Sequence, residues 1–152
     1  MKLRLLLLSL FSFAFAVRGD DFEARVFTAT EGAKLPYRLL QPASIEPGKK
    51  YPLVIFLHGS GERGDDNAKQ LKHGVTAFAR PEAREKFPCY VFAPQCPKDK
   101  KWVEMDWAGT NGTAPADPGP MEGLVLAGAD ALAHEFAIDP DRVYVTGLSM
   151  GG

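Results

Sequence analysis

Hydrophobic positions along this chain change period several times, and each change marks an element. "FEARVFTA" from Phe22 and "KLPYRLLQP" from Lys34 predict two strands. In the second, Leu35, Tyr37 and Leu39 alternate onto one face, as in a half-exposed edge hairpin. "IEPGKK" is a turn. "YPLVIFLHG" then carries an unbroken apolar run, Leu53–Leu57. Strands apolar on both faces belong inside a parallel sheet covered by helices. "CYVFAP" from Cys89 is a second strand of this buried kind. "IDPDR" reads as a turn leading into "VYVT", the last strand.

Between the strands the period becomes helical. Ala68, Leu71, Val75 and Phe78 recur at spacings of three and four, which predicts a helix over 66–80 with Asp65 or Asp66 as its N-cap. A second helix is predicted from about Pro118 to Ala137, opened by Asp117. Its apolar face holds Met121, Leu124, Val125, Gly128, Ala131 and Leu132. The connection before it, "QCPKDKKWVEMDWAGTNGTAPADPGP", is rich in Gly and Pro and contains Trp102 and Trp107. Connections of this length inside a domain are usually functional or mobile. Alternating strands and helices define an α/β fold with a mostly parallel sheet and flanking helices. Ligands of such folds bind at the carboxyl ends of strands. Two segments lie there: "HGSGERG" after the third strand and "GLSMGG" after the fifth.

Composition adds bounds. The 152 residues are 45% hydrophobic with a net charge of −1, which suits one globular domain and supplies no basic stripe for nucleic acid. The first residues differ in kind. Lys2 and Arg4 precede an apolar run from Leu5 to Phe15 that ends in "AFA". This is the pattern of a signal peptide over residues 1–16, cut after Ala16, in an exported protein that is secreted or periplasmic. The run is shorter than the roughly 20 residues of a membrane span. Cys89 and Cys96 flank an extended stretch of roughly 20 Å, too far apart for a disulfide. No His/Cys/Asp cluster has metal-ligand spacing, and no cofactor is implied. Asn111-Gly112-Thr113 has the form of a glycosylation acceptor, a match that chance explains better.

The chemistry is concentrated in two motifs. Gly147-Leu148-Ser149-Met150-Gly151 is G-x-S-x-G, following a β-branched strand. A serine on a sharp strand-to-helix turn needs glycines two residues away, because side chains there would collide with neighbouring elements. Ser149 is the candidate nucleophile. His58-Gly59-Ser60-Gly61 is a glycine-rich turn after a buried strand. An oxyanion hole needs two N–H donors. Met150, the residue after the nucleophile, supplies one candidate, and Ser60 or Gly61 the other. Glu62 and Arg63 are expected to brace this loop by charge-assisted hydrogen bonds, and His58 to fix it.

In these stretches the chain resembles the first half of an α/β-hydrolase. Within that fold it is similar to secreted esterases and predicted peptidases related to the prolyl oligopeptidase and phospholipase/carboxylesterase groups. "YPLVIFLHGSGERG", "YVFAPQCPKDKKWVEMDW" and "IDPDRVYVTGLSMGG" carry the resemblance, over most of residues 35–152. It implies that Ser149 attacks an acyl carbonyl and that loop N–H groups at Ser60 help hold the oxyanion. It also places Trp102 and Trp107 beside the acyl or alcohol pocket; packing of the loop is the alternative for both. The implied substrate is a small-molecule or polymer-linked ester. A serine peptidase of prolyl oligopeptidase type is the alternative within the fold.

The serine needs a base, and in this fold the order is Ser, then Asp or Glu, then His. Only Met150, Gly151 and Gly152 follow Ser149. Acid and base are therefore expected outside this chain, with 17–152 the N-terminal part of one domain, cut after the elbow and inactive alone. The resemblance also makes the last strand internal, so that "VYVT" without further strands would form an apolar edge. A chain of another class, a non-catalytic binding or relic protein, is the alternative if 152 residues are the true product.

Overall fold

The computed structural model describes residues 21–105 and 116–152. The signal-peptide segment 1–16, Trp107 and the Asn111–Thr113 acceptor lie outside the described residues. Five strands form one sheet: β1 (Phe22–Thr28), β2 (Lys34–Leu40), β3 (Tyr51–Leu57), β4 (Tyr90–Pro94) and β5 (Ile138–Gly147). Their spatial order is β1-β2-β4-β3-β5. β2 pairs antiparallel with both β1 and β4, and β4, β3 and β5 run parallel. The edge of the hairpin is therefore β1 alone, and β2 is an interior strand.

The sheet has a core on each face. On one, α2 (Pro120–Glu135) covers Leu35, Tyr37, Leu53, Ile55 and Phe92 through Met121, Val125, Ala129 and Leu132. Ala129 is buried where Ala131 was expected, and Ala131 is exposed. The helix starts at Pro120, not Pro118. Gly119 is its N-cap, and the Glu122 carboxylate accepts from the Gly119 N–H at 2.8 Å. On the other face Val54, Phe56 and Val91 pack against Val75 and Ala79.

The helix expected over 66–80 does not form. Leu71, Val75 and Phe78 are carried instead by two short 3₁₀ segments, Lys69–Leu71 and Val75–Ala79, followed by a short α1 (Pro81–Lys86). Asp66 Oδ1 accepts from the N–H groups of Ala68 and Lys69, the bonds of the expected N-cap, so a first turn does start there. The helix fails to continue because of backbone chemistry. Gly74 has φ +80°, a left-handed conformation that ends any right-handed helix.

"IDPDR" is not a separate turn but lies within β5. Ile138 pairs with Tyr51 and the next pair is Leu53 with Val143, so residues 139–142 loop out of the ladder. β5 is the second edge of the sheet, with Val143, Tyr144 and Val145 exposed. Cys89 is half-buried, Cys96 is buried, and both are free thiols. Burial pushes the Cys96 thiol up to about 11. No helix among the described residues is long and apolar enough to cross a membrane.

Candidate active site

β3 and β5 run side by side to their carboxyl ends, where Leu57 pairs with Gly147. The chain leaves β5 through Leu148, whose N–H donates to Leu57 O at 3.0 Å. It then makes one turn of 3₁₀ helix, Ser149–Gly151. Ser149 sits at φ +53°, in the left-handed region that residues with a side chain rarely adopt. The turn leaves no room for side chains beside it. A Cβ on Gly147 would stand 2.0 Å from Gly151 O, and one on Gly151 would stand 2.1 Å from Leu57 O. Both obstacles are backbone, so the two glycines of G-x-S-x-G are demanded by close approach. The strain at Ser149 lifts its side chain out of the turn.

The loop after β3 comes up beside this elbow. Ser60–Glu62 form one 3₁₀ turn, and Ser149 Cβ lies 3.6 Å from where a Cβ on Gly59 would be. Ser149, Met150 and Ser60 line one open cavity of about 440 Å³, together with Arg63 and Lys101. Gly61 is in the same turn as Ser60 but is not part of that lining.

Hydrogen bonds tie the β3 loop to the segment after β4. His58 is buried at the root of the loop. Its Nε2 accepts from the Cys96 N–H at 3.0 Å, which puts the ring proton on Nδ1, donating to Gly59 O at 2.6 Å. Burial lowers the His58 pKa, in keeping with a neutral ring. The Trp102 indole N–H donates to His58 O at 2.9 Å, and the two rings meet edge to face at 5.0 Å. Gly64 N–H donates to Cys96 O. Arg63 braces the turn as expected: Nε donates to Ser60 O at 3.0 Å and Nη1 to Lys100 O at 3.3 Å. Among the described residues the Glu62 carboxylate makes no such hydrogen bond. Its buried side chain faces His73 Nε2 at 3.7 Å.

One positioning residue has no signal in the motifs. Gln95, fully buried at the end of β4, donates from Nε2 to Glu62 O at 3.1 Å and to Asp66 Oδ1 at 2.9 Å. Its Oε1 accepts from Asn67 N–H at 2.6 Å. A polar amide closing an apolar strand is the only trace of this in the sequence. Trp102 is 2% exposed and belongs to the core under α2. It also borders a second cavity of about 320 Å³, with Ile55, Leu57, Val145 and Met150. None of the three histidines lines the Ser149 cavity. Among the described residues no group of His, Cys, Asp and Glu could hold a metal ion.

No family model matches the chain, and no curated protein matches it. Solved structures do. A thermostable esterase is 42% identical over 87% of this chain with a TM-score of 0.77; the chain spans 35% of that protein's length. A CE1 ferulic acid esterase from Anaeromyces mucronatus, in complex with ferulic acid, is 16% identical over 86% of this chain and 49% of its own, with a TM-score of 0.54. A puromycin hydrolase is 20% identical over 86% of this chain and 19% of its own, with a TM-score of 0.53. The last two share the fold alone. The chain has the α/β-hydrolase fold, in the part that runs from the N-terminal hairpin to the turn at Ser149. Within that fold it is similar in sequence as well to the thermostable esterase.

Proposed function

We propose that this chain carries the nucleophile and the oxyanion-binding loop of an exported serine hydrolase that cleaves carboxylic esters. The observation that carries the reading is Ser149: a side chain held at positive φ on a turn walled by backbone, in one cavity with Ser60 and Met150. The similarity to the thermostable esterase supports the choice of an ester bond.

Ser149 Oγ attacks the acyl carbon, and the carbonyl electron pair moves onto oxygen. Met150 N–H and the N–H of Ser60 or Gly61 hold that oxyanion. Collapse expels the alcohol and leaves an acyl-enzyme on Ser149, which water then hydrolyses. The proton leaves Oγ for a histidine oriented by a carboxylate, both supplied from outside the 152 residues. His58 cannot serve, because both ring nitrogens are committed to backbone groups. The basic-then-apolar segment 1–16 directs export, with cleavage after Ala16.

The test is active-site labelling of the full-length protein with a fluorophosphonate, alongside hydrolysis of a neutral ester such as para-nitrophenyl butyrate. The probe should mark Ser149 in the folded protein only. Ser149→Ala should abolish labelling and lower kcat by a factor on the order of 10⁴ or more. Labelling at another residue, or unchanged turnover in Ser149→Ala, overturns the assignment.

A further inference from the structure

The cavity that holds Ser149 has an electrostatic character that ester cleavage does not require. Among the described residues five line it, two of them cations, Arg63 and Lys101, and none of the five a carboxylate. They come from different places. Arg63 follows the 3₁₀ turn after β3, and Lys101 closes the "PKDKK" run after β4. Resting on the hydrolase reading above, we propose that this cavity selects esters carrying a carboxylate or another anionic group close to the scissile bond, and that Arg63 and Lys101 bind that group.

The two cations differ in how they are held. Arg63 is fixed: Nε is committed to Ser60 O and Nη1 to Lys100 O. A guanidinium has five N–H donors, so these two bonds leave both N–H groups of Nη2 and one of Nη1 without a partner among the described residues. Planar donors held in a fixed direction suit a charge-assisted hydrogen bond to a carboxylate oxygen. Lys101 is exposed and adds a point charge on a flexible stem to the lining. Neither is in an ion pair with a carboxylate among the described residues, whereas Arg25, Lys49, Lys69, Arg84 and Arg142 all are. The bond from Arg63 to Lys100 O also joins the two loops, so that the cations stand over one opening.

A bound anion would thus be held beside the nucleophile by one rigid and one adaptable partner. The fixed guanidinium orients the substrate, and the lysine adds attraction without demanding a single geometry. Positive charge next to the cavity would also favour the developing oxyanion for any ester, so charge alone does not discriminate. Discrimination comes from contact with an anionic group in the ground state that persists in the transition state.

The experiment compares matched esters on the full-length protein at low ionic strength. On the acyl side the pair is para-nitrophenyl hydrogen succinate and para-nitrophenyl butyrate. On the alcohol side it is para-acetoxybenzoate and its methyl ester. In at least one pair kcat/KM should favour the anionic member by about tenfold or more, the effect of one charge-assisted contact worth roughly 1.4 kcal/mol. That ratio should shrink as salt is raised. It should fall severalfold in Lys101→Met, where Arg63 still holds the anion, and further in Lys101→Glu. Hydrolysis of all four esters with a ratio near one in both pairs, unmoved by salt or by Lys101→Glu, overturns the anionic preference and leaves the esterase reading intact. Failure to turn over any of the four, together with no fluorophosphonate labelling of Ser149, overturns both.

Discussion

The indole N–H of Trp102 donates to the backbone carbonyl of His58, 2.9 Å away, and that carbonyl stands at the root of the loop that faces Ser149. Trp102 is thereby a positioning residue as well as a core side chain. It holds the β3 loop from below while the His58 ring holds it from the side, through Cys96 N–H.

Trp102→Phe keeps most of the apolar volume and deletes that one donor. The His58 carbonyl is then buried without its partner, which costs about 1–3 kcal/mol. Denaturant unfolding should show the loss. Under the proposed mechanism ester turnover should fall as well, because the proposed donor at Ser60 or Gly61 sits on the loop being released. A variant with wild-type stability and turnover would show that the hydrogen bond holds nothing.

The ring of His58 is expected to be neutral at pH 7, with its proton on Nδ1. Its folded pKa lies below the ordinary 6.5 because burial disfavours the charged form. The sign follows from linkage. Above 6.5 neither folded nor unfolded chains carry the proton, and the contribution of the neutral ring is fully present. As pH falls below 6.5 the unfolded chain takes up the proton first, and stability is lost until the folded pKa is passed. Nitrogen chemical shifts of the labelled ring should show an unprotonated Nε2 through this range. A doubly protonated ring at pH 6.5 in the folded protein would contradict the geometry.

Gly147→Ala and Gly151→Ala should be among the most damaging small substitutions in the chain. Each added methyl meets backbone at 2.0 or 2.1 Å, and neither obstacle can rotate away. The cost is about 3 kcal/mol, the upper end of overpacking. Fluorophosphonate labelling of Ser149 should be lost in whatever fraction still folds. Alanine at Gly123, where no atom lies within 4 Å of the added methyl, is the matched control in α2 and should be neutral or slightly stabilising.

How far these features could be read from the sequence depends on what enforces them. The interior strands β3 and β4 were legible because every residue of Leu53–Phe56 and Tyr90–Pro94 is buried, and burial on both faces demands an apolar run. G-x-S-x-G was legible because its glycines are required by backbone contact. The helix over 66–80 misled because a spacing of three and four is served equally by 3₁₀ turns laid on a sheet. Only Gly74, in the middle of that pattern, hinted otherwise. Gln95 was invisible for a different reason. Its three hydrogen bonds reach residues about thirty positions earlier, and no local pattern encodes them. The pairing of Arg63 with Lys101 around Ser149 likewise depends on how two loops fold toward each other.

The loop-out in β5 sets where length can vary in this strand. Between the pairs Tyr51–Ile138 and Leu53–Val143, residues 139–142 stand opposite Pro52, which has no N–H to offer the ladder. The segment closes on itself, with Asp139 accepting from Asp141 N–H and Arg142 Nε, and is pinned by Arg142 to Lys50 O. The position of Ser149 is therefore counted from Val143, not from where the strand begins. Residues added or removed within 139–142 change the rim of the molecule at the end far from Ser149, which stays in register. A reporter peptide or an affinity handle can be spliced there, with the Ser149 end of the sheet as its own control.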